Sequence, residues 1–326
     1  MKYFAIGFLL LVFTNYVFAA KTTVVPLSTV LQPHAMSVDK NHLYICENAH
    51  VSIYSLKDFQ LIKRFGKKGE GPEEFKSAVT VNCQTDRLII NSVGKVSFFT
   101  KEGDYISEVK VSPQVFFGFL PIDDGFVAAE SFPGRNFKVN LYNTSLEKEK
   151  TFFEDNNPRK FGSILDKTYI VKVSGKKIFI VATNDFIIDV FYKNGKKLLS
   201  IRQNYKLLEF TKEHERGFLE SYKNNPVTRE FYENFKKIAK FPGSFPAIDD
   251  LFVTDGKVYV QTYKVVDNNT EFYIFEESGK FLRTVFLPVV EKFFDQAVFN
   301  INNGKLYLLV ENESEEDWEI HITEIE

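Results

Sequence analysis

The side chains with reactive or metal-ligating chemistry are few in this 326-residue chain and lie far apart: five histidines, two cysteines and a scatter of carboxylates. His34, Glu47 and His50 form one loose group near the N-terminal end; Glu130 and Arg135 form a second, and Glu311 stands alone near the C-terminus. Imidazoles beside carboxylates are the donors that hold zinc and related metals. No His-x-x-x-His pair places two imidazoles on one helix face, so these residues read as rim positions available to a ligand, not as a metal site. His42, His214 and His321 complete no triad, and no Gly-x-Ser-x-Gly elbow is present. GKKGEGPEEF (66–75) is glycine-rich, yet no Gly-Lys-Ser/Thr follows to cradle a nucleotide phosphate. ENESEEDWE (311–319) is acidic but lacks the Asp-x-Asp-x-Asp-Gly order of a calcium loop. A ligand-binding surface without cofactor is therefore expected.

What must position these residues is a unit that returns about every 40 residues. An apolar run precedes an alternating one: LYICEN then VSIYS, LIINSV then KVSFFTKEG, and again at FVAAES, KIFIVATN, KVYVQTY and KLYLLVEN. Polar turns rich in Asn, Asp and Gly separate the runs, such as Thr254-Asp255-Gly256 and Asn302-Asn303-Gly304. Six copies of a four-strand module, A innermost to D outermost, predict an all-β six-bladed β-propeller. The sixth copy, ending at EIHITEI (319–325), lacks a D strand. The orphan run TTVVPLSTV (22–30) is expected to supply it and close the ring, removing two sheet edges.

One stretch breaks the pattern, residues 205–245 between blades 4 and 5. Thr211 is placed as the N-cap of a first helix. Asn225-Pro226 reads as the start of a second helix over 226–239, with Val227, Phe231, Phe235 and Ile238 on a face expected to pack on the propeller. Tyr232 and the lysines are then left outward, and Tyr232 joins the candidate ligand contacts. D–A and B–C connections share one face of a propeller. The longer loops, 66–75, 131–137 and the insertion, all fall there, so that face is assigned any ligand.

The first 19 residues carry Lys2, the apolar run Phe4–Phe13 and the small-residue site Val17-Phe18-Ala19, the pattern of a cleaved leader. Residues 20–326 are then the mature propeller, secreted or periplasmic, with no membrane span after cleavage. Cys46 and Cys83 are too few for a disulfide framework. With Cys46 in strand B of blade 1 and Cys83 in the A–B turn of blade 2, they are expected to remain free thiols. A net charge of −2, from 41 basic and 43 acidic residues, offers no basic excess for a nucleic-acid backbone.

The turn GKKGEGPEEF resembles that of exported bacterial six-bladed propellers related to NHL-repeat proteins, whose blades are joined by a G-x-G-P-G-E-F-like turn. Gly69, Gly71, Pro72, Glu74 and Phe75 match, and Glu73 stands where Gly is usual. FPAIDDLFVTDGKVYVQTY (245–263) after a helical insertion is similar too. The resemblance implies fold and export, and no activity. The expected function is that of an exported, monomeric, non-enzymatic propeller binding a protein, peptide or glycan. The alternative is a metal-dependent propeller hydrolase or lyase, its central channel ringed by Glu47, Ser92, Glu130, Thr183, Thr262 and Glu311. A structural module for envelope assembly is a third reading.

Overall fold

The computed structural model describes residues 21–325, apart from 77–78, 112–117, 131–135, 157–163, 166–168, 291–296, 313 and 315–316. Six four-stranded antiparallel sheets form the blades of a β-propeller. Blade 1 runs A to D as Ala35–Val38, His42–Glu47, His50–Ser55 and Leu61–Phe65, and blade 2 as Thr80–Cys83, Leu88–Ser92, Lys95–Phe99 and Tyr105–Lys110. Blade 3 is Phe119–Ile122, Gly125–Glu130, Phe137–Tyr142 and Lys148–Asp155; blade 4 is Tyr169–Ser174, Lys177–Ala182, Ile187–Tyr192 and Lys197–Arg202. Blade 5 is Leu251–Thr254, Lys257–Val266, Asn269–Glu276 and Phe281–Leu287.

Blade 6 takes strands A to C from the C-terminal end, Phe299–Asn302, Lys305–Asn312 and Asp317–Glu324, and its D strand from Thr22–Pro26. The register runs from Thr22 opposite Thr323 to Pro26 opposite Glu319. The closure expected from the orphan strand is thus observed.

The apolar B strands are continuous because both of their faces are covered. In blade 1, Tyr44 and Cys46 face blade 2, while Leu43 and Ile45 face blade 6. The core is accordingly six layers, one between each pair of neighbouring blades. Phe98 and Phe126 meet between blades 2 and 3, Val139 and Ile180 between 3 and 4, Ile188 and Leu251 between 4 and 5, and Ile274 and Leu306 between 5 and 6.

One C–D turn recurs in blades 2 to 5, with a version one residue longer in blade 1, each time next to a register shift in the ladder. Gly103, Gly195 and Gly279 hold its left-handed residue in blades 2, 4 and 5, with φ of +82°, +81° and +90°. Blades 1 and 3 place Phe59 and Leu146 there, at φ +57° and +61°. The hydrogen bond from Leu146 N to Asn143 O reproduces the one that Gly195 N makes to Tyr192 O, whereas the longer turn of blade 1 closes from Phe59 N to Ser55 O. In these two blades burial of an apolar side chain overrides the preference for glycine.

The 66–75 turn wedges between two blades, and only some of its glycines are left-handed. Gly66 (φ +85°) and Glu73 (φ +60°) adopt positive φ; Gly69 and Gly71 do not. Glu73 thus occupies the position where the resemblance calls for glycine. Phe75 is fully buried between blades 1 and 2, and Lys95 Nζ ties the turn down by donating to Gly71 O at 2.8 Å.

Two expectations are corrected. Cys83 ends strand A of blade 2 instead of lying in the following turn. Both thiols pack in the same layer between blades 1 and 2, and both are free. In the insertion, Lys212–Asn224 is helical with Thr211 as N-cap, as expected. The second helix is shorter than 226–239: Pro226 to Thr228 form a turn, Arg229–Phe231 a 3-10 segment, and Tyr232–Ile238 the α-helix. Asn225 caps that turn through Oδ1, which accepts from Val227 N at 2.9 Å. Phe235 of the expected apolar face packs on the first helix, its ring stacked 4.2 Å from that of Tyr222. Val227, Phe231 and Ile238 are exposed, and Tyr232 is half-buried.

Candidate functional site

Two cavities lie where a propeller offers ligands a site. The first is the central channel, about 570 Å³, lined by A strands and the residues beside them from all six blades. Several of its polar residues are already engaged within the protein. Lys172 Nζ sits 3.2 Å from Asp250 Oδ1 and 5.2 Å from the centre of the Phe252 ring. Asp249 Oδ2 accepts from Gln261 Nε2 at 3.2 Å, Asn82 Nδ2 donates to Phe119 O at 3.3 Å, and Asn302 Nδ2 donates to Val38 O. Among the described residues, no group of three or more His, Cys, Asp or Glu side chains is placed to hold a metal ion. The B-strand residues named for an enzymatic channel do not line this cavity. The A strands do, because they are innermost.

The second cavity is a cleft of about 410 Å³ at the foot of the insertion. One wall is Ile164 and Leu165 from the connection between blades 3 and 4. Asn184 and Asp185, in the B–C turn of blade 4, form another, and the third is made by the two ends of the insertion, Leu207 and the return from Lys240 to Pro246. Seven of the eleven lining residues are apolar, so the cleft favours an apolar group while Asp185 and Lys240 offer opposite charges at its edge.

The cleft is built on a rigid base. Phe210 N donates to Gly243 O at 3.1 Å and Phe245 N to Leu208 O at 2.8 Å, so the two ends of the insertion run against each other. Ala247 N and Ile248 N both donate to Thr183 O, at 2.9 and 3.1 Å, which fixes the return to blade 4. Beneath lies an aromatic cluster. The Phe245 ring is 4.9 Å from Phe210 and stacks 5.0 Å from Tyr263 in blade 5, and His214 meets Phe245 edge-on at 4.9 Å. His214 also accepts from Thr211 N at 3.0 Å, completing a capping box at the start of the first helix.

The sequence-derived candidates do not converge on either cavity. Three gather about the B–C turn of blade 1. His34 lines the channel edge, its Nε2 2.8 Å from Val79 O while its Nδ1 accepts from Asn48 N at 3.2 Å. His50 stands opposite Glu47 in the ladder.

Glu47 is 5% exposed and serves the fold. It accepts from Leu31 N at 2.6 Å and Gln32 N at 3.1 Å, and pairs with Arg64. Arg64 in turn donates to Ser52 Oγ and to Thr29 O. This ion pair clamps the chain between the closing strand and blade 1. Glu130 accepts from Asn140 Nδ2 at 2.8 Å within blade 3. Glu311 is exposed at the end of strand B of blade 6. Arg135 lies outside the described residues. Tyr232 lies on the second helix between Lys223 and Lys236, whose Nζ atoms are 5.8 and 5.7 Å from its ring centre. Lys240, Phe241 and Phe245 of the cleft carry no motif; the long break in the repeat and its FPGSFP run (241–246) are the signal that marks the place.

The described residues define a six-bladed propeller with a helical insertion on its loop-rich face. Solved structures of the same architecture include a candidate exported protein of Bacteroides fragilis. It is 12% identical with a TM-score of 0.58, over 94% of this chain and 95% of that one. A member of the DUF4221 family from Bacteroides vulgatus aligns at 11% identity and a TM-score of 0.55, over 95% of this chain and 97% of its own. At these identities the likeness is one of fold. No protein-family model and no curated protein matches the chain by sequence.

Proposed function

We propose that this protein is an exported, non-enzymatic propeller that captures a protein partner by seating an apolar segment of it in the cleft at the foot of the insertion. The observation that supports the reading is the cleft itself. It is concave, lined by seven apolar residues and four polar ones with a charged residue on each side, and lies where the long connections gather. Seven apolar residues against four polar ones suit a peptide side chain better than a sugar, which needs hydrogen-bonding partners around its ring. Export to the periplasm or beyond, with residues 1–19 removed, rests on the leader pattern. One of the two structural neighbours carries the designation of an exported protein.

The channel is the weaker candidate because its carboxylates Asp249 and Asp250 are already engaged by Gln261 and Lys172. Selection from a displayed library of random peptides tests the reading. Peptides carrying an aromatic or aliphatic anchor should be enriched on the parent and should lose binding at least about tenfold to Leu207→Asp. Leu207 is exposed, so the fold should persist. Enrichment of no peptide, or equal binding to both proteins, would overturn it. Recovery of a glycan ligand in its place would move the protein to the sugar-binding class.

A further inference from the structure

The turn and second helix of the insertion carry three large apolar side chains that the rest of the described chain leaves exposed. Val227 is 79% exposed, Phe231 59% and Ile238 47%. Val227 lies in the turn between the helices, Phe231 ends the 3-10 segment and Ile238 ends the second helix. Large apolar residues exposed together on a surface mark a place of contact. Around them, between residues 223 and 240, stand Lys223, Arg229, Lys236, Lys237 and Lys240 against Glu230 and Glu233. None of the five cations makes an ion pair among the described residues, whereas the first helix pairs Lys212 with Glu215 and Arg216 with Glu213. The local excess of positive charge contrasts with the chain's overall charge of −2.

We propose that this part of the insertion docks the protein on an anionic lipid surface, with Val227, Phe231 and Ile238 entering the interface and the lysines lying against the headgroups. Charge complementarity selects an anionic counterpart. Shape then selects a membrane over a protein, because none of the three lines either cavity. A protein partner would need a matching hollow, whereas a bilayer accepts a protruding side chain without one. Lysine suits the role because its long stem reaches past the apolar layer while its ammonium stays at the headgroups. Tyr232, held between Lys223 and Lys236, has the amphipathic character that favours the same boundary. The cleft, lined by the base of the insertion, shares Lys240 with this cationic surface but none of the three apolar side chains.

The test is co-sedimentation of the chain from Ala20 onward with vesicles of equal parts phosphatidylglycerol and phosphatidylcholine, and with vesicles of phosphatidylcholine alone. Binding should appear with the anionic vesicles, weaken as salt is raised, and be near background on the neutral ones. Phe231→Asp should lower it about tenfold, and Lys236→Glu with Lys237→Glu by at least as much. Both variants should melt with the parent, since the altered side chains are exposed. No binding to the anionic vesicles, or equal binding to both kinds, overturns the proposal. So does concentration-dependent self-association in the ultracentrifuge that Phe231→Asp abolishes, which would assign this surface to a second copy of the chain.

Discussion

Glu47→Ala should loosen the ring at its seam. The carboxylate is nearly inaccessible and holds three donors: Leu31 N, Gln32 N and the Arg64 guanidinium. Removing it leaves two backbone N–H groups without their acceptor and a cation without its partner. Breaking a buried ion pair costs about 3–5 kcal/mol. Arg64 is 36% exposed and keeps Ser52 and Thr29 as acceptors, which moves the expected cost down to roughly 2–4 kcal/mol. Unfolding entropies of about 2.1 cal/mol/K per residue give a chain of this size about 0.6 kcal/mol/K, so the melting temperature should fall by about 3–6 °C.

The assay has a local reporter. Trp318 is the single tryptophan, and its Nε1 donates to Leu31 O at 3.0 Å, within the segment that Glu47 clamps. Its emission should shift to longer wavelength in the variant at temperatures well below the melt. A melting temperature within about 1 °C of the parent and an unchanged Trp318 spectrum would refute the claim that Glu47 holds the closure.

Three further outcomes follow from the packing. Gly66→Ala should cost several kcal/mol, because a Cβ there would stand 2.5 Å from the Phe75 ring and 2.7 Å from Ala49 O at a φ of +85°; chemical denaturation measures it. Burial pushes the Cys46 thiol up and raises that of Cys83 to about 11, so a thiol reagent at pH 8 should react slowly with the native protein and count two thiols on unfolding. Burial works against the Asp39 carboxylate, but Lys101 at 2.6 Å and the N–H groups of Asn41 and His42 outweigh it and hold its pKa below the usual value. Stability from this depressed group is present above the unfolded pKa of about 3.9 and lost as pH falls through the folded value. Melts should therefore be level from pH 5 to 7 and fall below about pH 4, and Asp39→Asn should lower the plateau and flatten the acid limb.

The six blades are legible because each B strand is covered on both faces and each hairpin needs special turn residues; both demands write themselves locally in the chain. Asp255-Gly256 and Asn303-Gly304, with φ of +53° and +70°, and +52° and +67°, are the tight hairpin turns their residue types announce. The closing strand is legible by default, as a strand without a blade beside a blade without a strand. Legibility fails where long-range packing decides. Periodicity marks Val227, Phe231, Phe235 and Ile238 as one apolar face, but the first helix covers that stripe only at Phe235. Glu47 looks like a site residue because a carboxylate at a loop end usually faces water. Its partner Arg64 and the Leu31–Gln32 amides come from separate strands and a crossing segment that local sequence does not join. The cleft is assembled from three connections distant in sequence; the long insertion is conspicuous, but nothing local joins it to Ile164–Leu165 or to Asn184–Asp185.

Capture from the native envelope tests the central claim, that the insertion-bearing face is the binding surface. The chain from Ala20 onward, immobilised in parallel with Leu207→Asp and with the channel variant Asn300→Arg, is exposed to an envelope extract, and retained proteins are quantified by mass spectrometry. The account predicts a protein retained by the parent and the channel variant and lost from Leu207→Asp, with all three melting alike. Equal retention by Leu207→Asp and the parent, or loss confined to Asn300→Arg, would contradict it.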